Sequence, residues 1–532
     1  MSESTLASRF STEHSNRESI LTAARICAAL TKPWVLPPQN QNPNEKLPEN
    51  FQSEGSRGIT NLEGKMLLAL YPPGRPYFEL ALPENIRYAP EVSDEFKQDL
   101  EQQLFIRGLL LMSLLESANL KSGGNARVMG FRTAQRAAIS QILITGETLQ
   151  QFTDDYRLKV FRRDRYVTKR DSCGDVLYHI IEEEVDVKSL TPDQFEKSKL
   201  DAAIKEKDVA DRMQKIYTCP EWNPQTKKWV IRQEVNGHEI GKPSEEEITP
   251  FFSTPFELIP GEDYGRGFIE QNRGDLRSLN SCSEKLLEFA ATASKHLWVK
   301  DYGSQVRDTD LAKSSGGVFR GRVSGGVVQD LALLKADKLS DFRVVYDTAE
   351  RLRKSLGAAM LIASEVAPKG ERVTAYAWSQ VVQELEGALG GVYAPISDQM
   401  QLPLLRRLNY QAEKDLLTPK LNPKAYQLRA LTGLAALARA SRGQDMLTFA
   451  QVAQSLGDQA LAKLDVGVLM DNFARFQNLD EPGLVKTEKQ RREEQAAAEQ
   501  AAARQLATAK AIDVAGTIGV NAATQAISGA AA

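Results

Sequence analysis

Apolar residues recur at spacings of three and four along much of the chain, a pattern that predicts amphipathic helices. It indicates helices over residues 15–31, 57–70, 126–145 and 266–297. Further helices are predicted over residues 93–120 and 339–362, and a charged helix over residues 191–213. A further apolar stripe runs from Val381 to Met400 and predicts a helix of about 40 residues that begins near Thr374. The helix breakers inside it are Gly390, Gly391, Pro395 and Pro403. Because glycine pairs and prolines are common causes of kinks, we expect this helix to be bent.

Residues 157–168 and 176–187 are rich in β-branched and aromatic side chains and flank a turn at residues 171–175, which predicts a β-hairpin. The first strand is basic and the second is acidic, so we expect their charges to pair across the hairpin. A nucleic-acid contact is the alternative for the basic strand. The basic residues are Arg157, Lys159, Arg162, Arg163 and Arg165, and the acidic ones are Glu182, Glu183, Glu184 and Asp186.

Further strands are predicted at residues 215–218 and 228–235, where Asn236-Gly237 supplies a tight turn. The three consecutive glutamates at residues 245–247 are expected to form a solvated acidic loop. Paired glycines between β-branched residues predict a small β-module within residues 314–328. Together with the helices, these strands predict an α+β fold that is mainly α.

Composition narrows the class of protein. The chain has 532 residues, enough for roughly two to four domains. Its 67 Lys and Arg against 70 Asp and Glu lack the basic excess of a protein that holds nucleic acid by charge alone. No run of about 18 apolar residues predicts a membrane span, and residues 1–17 lack the apolar core of a secretion signal. The four cysteines are far apart, which favours free thiols in a reducing cytoplasm.

The common motifs of enzymes do not occur in this sequence. It lacks a G-x-x-x-x-G-K-[ST] phosphate loop, an H-E-x-x-H zinc motif and a G-x-S-x-G nucleophile elbow. Tyr264-Gly265-Arg266-Gly267 begins a dinucleotide fingerprint, but Glu270 stands where its last glycine belongs. Asp308 and Asp310 are a weak candidate for a divalent metal. We therefore predict no catalytic residue, no metal and no cofactor; an enzyme using the two aspartates and a helical scaffold of a host cell are the alternatives.

Four distinctive segments follow one another along the chain. They are GSRGITNL at residues 55–62, followed by LLALYPP at residues 67–73; Gly274, Asp275, Leu276 and Arg277, after Tyr264-Gly265-Arg266; Gly370, Glu371 and Thr374, followed by Gly390 and Gly391; and QLPL at residues 401–404. In order and spacing, over roughly residues 15–410, they resemble the portal protein, or head-to-tail connector, of short-tailed bacteriophages. The sequence departs from that family at Tyr376 and Ala377, where acidic residues often stand that could cap the helix.

The resemblance implies a portal fold whose regions form a ring, usually of twelve subunits. The implied regions are a wing at residues 1–267, a stem helix at 268–296, a clip at 297–330, a second stem helix at 331–362, a tunnel loop at 363–373, a bent spine helix and wing at 374–424, a crown at 425–480 and an alanine-rich tail or barrel at 481–532.

The resemblance also implies a function: double-stranded DNA is packaged and ejected through the ring, without sequence specificity. The implied partners are the terminase large subunit, a tail adaptor, scaffolding and major capsid proteins and internal core proteins, and the implied location is the capsid portal vertex of the virion, after synthesis in the host cytoplasm. Another ring or adaptor of the phage tail is the alternative. Lys369 and Arg372 of the tunnel loop are the candidates for loose contacts with DNA phosphates.

Overall fold

A computed structural model describes the chain over residues 5–42, 44–72, 77–87, 93–117, 129–293, 297–300, 302, 323–324, 327–328, 331–334, 339–362, 383–389, 391–422, 424–431, 446, 448–452 and 455. The chain divides into two compact units, Met1–Leu434 and Ala435–Ala532. In the second unit, residues 448–452 are helical. The elements named below all belong to the first unit.

Helices account for most of the regular structure in the described part of the first unit. They are α1 Leu6–Asn16, α2 Glu18–Leu30, α3 Glu54–Leu70, α4 Glu84–Arg87, α5 Asp94–Ser117, α6 Phe131–Thr145, α7 Pro192–Lys197, α8 Val209–Arg212, α9 Phe268–Gln271, α10 Arg273–Ala293, α11 Leu339–Ala359 and α12 Tyr393–Lys414. Residues 383–388 are also helical. The mixture of these helices with the strands below agrees with the predicted α+β class.

The strands form small antiparallel sheets. They are β1 Phe78–Ala81, β2 Glu147–Phe152, β3 Leu158–Phe161, β4 Tyr166–Arg170, β5 Val176–Asp186, β6 Met213–Asn223, β7 Lys228–Val235, β8 His238–Glu239, β9 Ser244–Glu246, β10 Phe251–Pro255, β11 Leu297–Lys300, β12 Val323–Ser324, β13 Val327–Val328, β14 Leu331–Leu334 and β15 Gln427–Ala430. The largest sheet has the order β4-β5-β6-β7-β8, with β9 also paired to β7. A second sheet has the order β10-β2-β3, and β1–β15, β11–β14 and β12–β13 are separate pairs.

The two faces of the largest sheet pack against different elements, because successive side chains of a strand point to opposite faces. On one face, Val167 and Ile180 pack with Leu6 and Phe10 of α1. On the other face, Tyr166 and Ile181 pack with Leu149, Phe161 and Phe251 of the β10-β2-β3 sheet. A much larger apolar core joins α2, α3, α5, α6, α10, α11 and α12.

The charge pairing predicted between residues 157–168 and 176–187 is confirmed for Lys159 and Arg165 but not for the other three basic residues, and the strands are divided differently. Residues 157–168 do not form one strand: β3 pairs with β2, and β4 pairs with β5. Each of the five basic side chains lies beside a carboxylate, but three of these carboxylates, those of Asp155, Asp164 and Glu147, lie outside the predicted acidic strand. The pairs are Arg157–Asp155 at 2.6 Å, Lys159–Glu183, Arg162–Asp164 at 2.6 Å, Arg163–Glu147 at 3.0 Å and Arg165–Glu182 at 3.0 Å. This neutralised surface favours pairing over the nucleic-acid alternative.

Two further predictions of local structure are wrong. The glutamates at residues 245–247 are not a solvated loop, since β9 pairs with β7 and buries Glu246. Its carboxylate binds Arg407 Nη1 at 2.9 Å and Lys414 Nζ at 3.0 Å, so the basic partners come from α12, far along the chain. Residues 191–213 are not one helix but α7, a 3₁₀ turn at residues 202–206 and α8. Their high charge left no apolar stripe to bury along a single helix.

The spine region is not one bent helix in its described part. The helix at residues 383–388 ends before Gly391, whose φ of +85° lies in the left-handed region, and α12 then begins at Tyr393. Pro403 does lie inside α12, where it cannot donate to the carbonyl of Gln399. The Thr254 hydroxyl of β10 donates to that carbonyl instead, at 3.4 Å. The predicted start of the spine, residues 374–382, lies outside the described residues.

Candidate functional site

The structure describes only some of the residues that the sequence singled out. Lys369, Gly370, Glu371, Arg372, Thr374 and Gly390 lie outside the described residues, as do Asp308 and Asp310. Gly274, Asp275, Leu276 and Arg277 begin α10, and Gly391 breaks the helix before α12. The described part of the candidate site is therefore the pair α10 and α11 and the elements that hold its base.

Helices α10 and α11 form an antiparallel helical hairpin. At its outer end the rings of Phe289 and Phe342 lie 4.8 Å apart, and the antiparallel strands β11 and β14 continue it. At its base Leu276, Leu279 and Leu356 are fully buried in the main core. The predicted helices over 266–297 and 339–362 are thus confirmed in outline, except that Leu297 belongs to a strand.

The residues of the Gly274–Arg277 segment have different surroundings. Leu276 is buried, whereas Gly274, Asp275 and Arg277 are exposed. Asp275 lies in the first turn of α10, where a carboxylate interacts favourably with the helix dipole. Within the described residues this segment therefore combines one packing residue with an exposed surface at the start of the hairpin.

Helix α3 contacts the base of the hairpin where the GSRGITNL segment lies. A Cβ atom built on Gly58 would lie 2.0 Å from Met360 Sδ and 2.8 Å from Met360 Cβ. Three residues later, the Asn61 side-chain amide donates to the carbonyls of Met360 at 3.0 Å and Leu361 at 2.7 Å. The glycine allows close approach, and the asparagine binds the carbonyls that the end of α11 leaves free.

The C-terminal end of α11 is a Schellman motif with leucine in the position that usually holds glycine. Leu361 has φ +54°, its N–H donates to Ala358 O at 3.2 Å, and Ile362 N–H donates to Gly357 O at 2.8 Å. A side chain in this left-handed conformation costs about 1–2 kcal/mol. The two hydrogen bonds from Asn61 help to offset that cost.

A close backbone crossing joins the sheet region to the start of the hairpin, and sequence analysis missed it. Gly146, with φ +86°, ends α6 and faces Gly265 and Gly267. A Cβ on Gly146 would lie 2.2 Å from Gly265 O, and a Cβ on Gly265 would lie 2.5 Å from Gly146 O. The signal in the sequence is the Gly265-Arg266-Gly267 triplet, which begins a dinucleotide fingerprint but in this fold is a packing motif.

Sequence analysis also missed a buried cluster of charges beside this crossing. Glu147 is fully buried at the start of β2, where its carboxylate lies 3.0 Å from Arg163 Nη1 and accepts from Arg170 Nη2 at 2.8 Å. The Arg163 guanidinium carbon lies 4.3 Å from the centroid of the Tyr264 ring. These contacts hold the C-terminal end of the segment 129–267, which leads directly into α9 and α10.

Two of the cysteines, Cys27 and Cys219, and the imidazole of His179 are buried. All four cysteines are free thiols, and burial raises the pKa of Cys27 and of Cys219 to about 12. Burial lowers the pKa of His179 to about 3, and its Nδ1 lies 3.0 Å from the Thr168 hydroxyl. Across the described ranges no group of His, Cys, Asp and Glu could hold a metal ion, and no helix there is long and apolar enough to cross a membrane.

Replacing Gly58 by alanine is expected to lower the free energy of unfolding by about 1–3 kcal/mol, because the new methyl group overlaps Met360. The contact predicts a coupling of about 0.5–3 kcal/mol between Gly58→Ala and Met360→Ala, so the double variant is less destabilised than the sum of the two. Denaturant unfolding measures all three variants. Gly64→Ala is the control on the same helix, since no atom lies within 4 Å of its Cβ position; additive effects would contradict the contact.

Comparison with known proteins gives a consistent result over most of the chain. A family model described as bacteriophage head to tail connecting protein matches residues 3–484. The portal protein of Escherichia phage T7 is 26% identical over 484 residues, covering 89% of this chain and 86% of that protein. The portal protein of Enterobacteria phage T3 is 27% identical over 491 residues, covering 90% and 87%.

The similarity to solved structures is weaker than the similarity to these sequences. A chain in the neck of an empty gene transfer agent particle aligns with 11% identity and a TM-score of 0.34, covering 71% of this chain and 80% of that one. A TM-score of this size does not establish a common fold.

The family match includes both described segments of the site, residues 55–62 on α3 and residues 274–277 on α10. It also spans nine-tenths of the sequence, and the relatives in phages T7 and T3 are aligned over most of their own length. The resemblance first indicated by those segments is confirmed. This chain therefore belongs to the bacteriophage head to tail connecting protein family.

Proposed function

We propose that copies of this chain close into a ring through which double-stranded DNA enters and leaves the phage head. The proposed number of subunits is twelve, as is usual in the family. The observation that carries the proposal is the family match over residues 3–484, together with relatives that are named portal proteins. A head-to-tail connector belongs to the virion, and the capsid portal vertex is the position proposed for this one.

The surface of the helical hairpin supports self-association. Leu287 of α10 is 56% exposed, and Val344 and Tyr346 of α11 are 66% and 49% exposed. A pair of helices cannot bury apolar side chains on its outer faces without further partners. In a ring the hairpins of neighbouring subunits supply those partners, so we assign α10 and α11 to the stem.

The remaining regions follow from the same assignment and are proposals. Residues 1–267 are the wing, and the strands between residues 297 and 334 lie in and beside the clip, which meets the terminase large subunit and later the tail adaptor. Residues 363–373 are the tunnel loop, residues 374–424 the spine and wing, residues 425–480 the crown, and residues 481–532 a tail or barrel. Scaffolding, major capsid and internal core proteins are the proposed partners during assembly.

Negative-stain microscopy of the purified chain tests the ring directly. We expect annular particles with a central hole at least as wide as a DNA duplex, roughly 20 Å. Immunogold labelling of phage particles tests the position, and label at a single capsid vertex is expected. A monomer under all assembly conditions would contradict the ring, and label on the tail alone would favour the tail-adaptor alternative.

Changing both Lys369 and Arg372 to glutamate is expected to reduce packaged DNA by about tenfold while rings still form, because two groups that attract phosphate would then repel it. The amount of DNase-protected DNA per particle is the measurement. A variant with Lys199 and Lys207 changed to glutamate is the control, since both lysines are exposed on the residues 191–213 segment and the change in net charge is the same. Normal packaging in the first variant would contradict the proposed contact.

A further inference from the structure

We propose that Arg17 and Arg163 hold one small monovalent anion, such as chloride, in the interior of the first unit. The site consists of these two guanidinium groups and the phenol groups of Tyr166 and Tyr264, and it is called the anion site below. The proposal goes beyond the proposed function and does not depend on it, because every residue that carries it lies in the described part of one chain.

The anion site lies where distant segments of the chain meet. Arg17 separates α1 from α2, and Arg163 begins the 3₁₀ turn that precedes β4. The guanidinium carbons of Arg17 and Arg163 lie 5.5 and 4.3 Å from the centroid of the Tyr264 ring. They lie 5.9 and 5.4 Å from the centroid of the Tyr166 ring. The same two rings therefore bring two positive charges together from different parts of the sequence.

Both guanidinium groups are buried, and most of their hydrogen-bonding capacity is unused. Arg17 is 2% exposed and Arg163 is fully buried. Within the described residues, Nε and Nη1 of Arg17 and Nε and Nη2 of Arg163 have no hydrogen-bond partner. Arg17 Nη2 donates to the Asp164 carbonyl at 3.5 Å, which is long for a hydrogen bond. Because buried polar groups in folded proteins are nearly always paired, these donors indicate an acceptor other than the side chains that surround them.

The charges around the anion site do not balance. Glu147 is the buried carboxylate of this region, and it is shared by Arg163 at 3.0 Å and Arg170 at 2.8 Å. All three nitrogens of Arg170 donate to partners, whereas Arg17 binds no carboxylate within the described residues. Three guanidinium groups therefore share one carboxylate. An uncompensated charge in the interior is strongly destabilising, so an anion beside Arg17 removes a large cost.

Neighbouring groups of this chain do not supply the missing negative charge. The Asp164 carboxylate binds Arg162 Nε at 2.7 Å and Nη2 at 2.6 Å. Burial raises the pKa of Tyr166 and of Tyr264, so neither phenol is an anion at neutral pH. A water molecule can accept hydrogen bonds from Arg17, but it carries no charge to offset the guanidinium.

The groups of the anion site donate rather than accept. The Tyr166 hydroxyl oxygen accepts from Arg163 Nη1 at 3.2 Å, and the Tyr264 hydroxyl oxygen accepts from the Thr168 N–H at 3.2 Å. The hydroxyl proton of each phenol therefore remains to donate to a ligand, alongside the unpaired N–H groups of Arg17. Donors around positive charge select an anion. Because the lining is buried, the anion must be small and must shed its water, which chloride does more readily than sulfate or phosphate.

Thermal unfolding of the purified chain at constant ionic strength tests for the ligand. Sodium gluconate, whose anion is too large to enter, is replaced stepwise by sodium chloride up to about 150 mM. We expect the unfolding midpoint to rise by about 3 °C, because a ligand that binds only the folded chain stabilises it. Sodium sulfate at the same ionic strength should raise the midpoint by less than about 1 °C. An unchanged midpoint in chloride, or an equal rise in sulfate, would contradict the anion site.

Arg17→Met is the variant that assigns the effect, because methionine keeps an unbranched side chain and removes the uncompensated charge. We expect its unfolding midpoint to be independent of chloride, within about 0.5 °C. Arg9→Met is the matched control on α1: Arg9 is partly exposed and has a carboxylate partner, Glu221, at 3.5 Å. This control should keep the full response to chloride, and a full response in Arg17→Met would overturn the assignment.

Anomalous diffraction from crystals of the unchanged chain, grown with bromide in place of chloride, locates the ion without any variant. One peak per chain is expected between the guanidinium groups of Arg17 and Arg163, so the proposal stays testable even where Arg17→Met does not fold. The absence of that peak would overturn the proposal. A peak that appears only at molar bromide, and so marks an adventitious ion only, would overturn it as well.

Discussion

Replacement of Glu147 by alanine is expected to lower the free energy of unfolding by about 3–5 kcal/mol, the largest effect foreseen for any single change in this protein. The Glu147 carboxylate is fully buried between Arg163 and Arg170, at 3.0 and 2.8 Å. Its removal leaves two guanidinium groups in the interior without their shared counter-charge. Denaturant unfolding, followed by the fluorescence of Trp222 and Trp229 in the largest sheet, measures the loss.

Glu184→Ala is the matched control for this change. Glu184 also binds an arginine at 3.0 Å, Arg165, but both side chains are partly exposed and Arg165 keeps its contact with Glu182. Solvent-screened pairs contribute little, so this variant should stay within about 0.5 kcal/mol of the unchanged protein. Equal effects of the two variants would mean that Glu147 is not the counter-charge of the buried arginines.

Replacement of Gly146 by alanine is expected to cost about 2–5 kcal/mol, from two sources that add. The residue has φ +86°, which disfavours any side chain, and its Cβ would lie 2.2 Å from the carbonyl oxygen of Gly265. That oxygen belongs to the backbone, so it cannot move away as a flexible side chain would. The same denaturant titration measures the loss.

Two control variants separate the cost of the positive φ from the cost of the steric overlap. Gly241 has the same φ of +86° with nothing within 4 Å of its Cβ position, so Gly241→Ala measures the conformational cost alone. Gly265→Ala measures the contact without positive φ, since its Cβ would lie 2.5 Å from Gly146 O and 2.7 Å from Pro255 Cβ. If Gly146→Ala costs no more than Gly241→Ala, the two backbone segments do not cross as closely as described.

Both positions are expected to affect assembly of the proposed ring because of where they lie. Gly146 and Glu147 join α6 to β2, and the facing residues Gly265 and Gly267 lead directly into α9 and α10. The crossing and the ion cluster therefore set the direction in which the helical hairpin leaves residues 129–267. In the proposed ring that direction decides whether neighbouring hairpins meet, so loosened variants are expected to assemble less well than the unchanged chain.

The amino-acid sequence by itself determined the approximate extent of several helices. Residues 57–70, 93–120 and 339–362 were predicted close to the observed α3, α5 and α11. The turn at Asn236-Gly237 was also predictable, because both residues adopt positive φ there, at +52° and +75°. Such features depend on local periodicity and backbone preference, which a single sequence displays. The family, too, followed from segments whose order and spacing are visible without a structure.

The tertiary structure alone decided which charges meet and where long helices stop. Glu246 lies in a run of three glutamates, a pattern typical of solvent-exposed loops. It is nevertheless buried, because Arg407 and Lys414 of α12 bind its carboxylate. Asn61 and Lys65 of α3 bind residues 360, 361 and 384, and no local pattern links positions so distant. The reason is physical: helix and strand periodicity is set by neighbouring residues, whereas desolvated ion pairs and backbone crossings depend on segments that only the folded chain brings together.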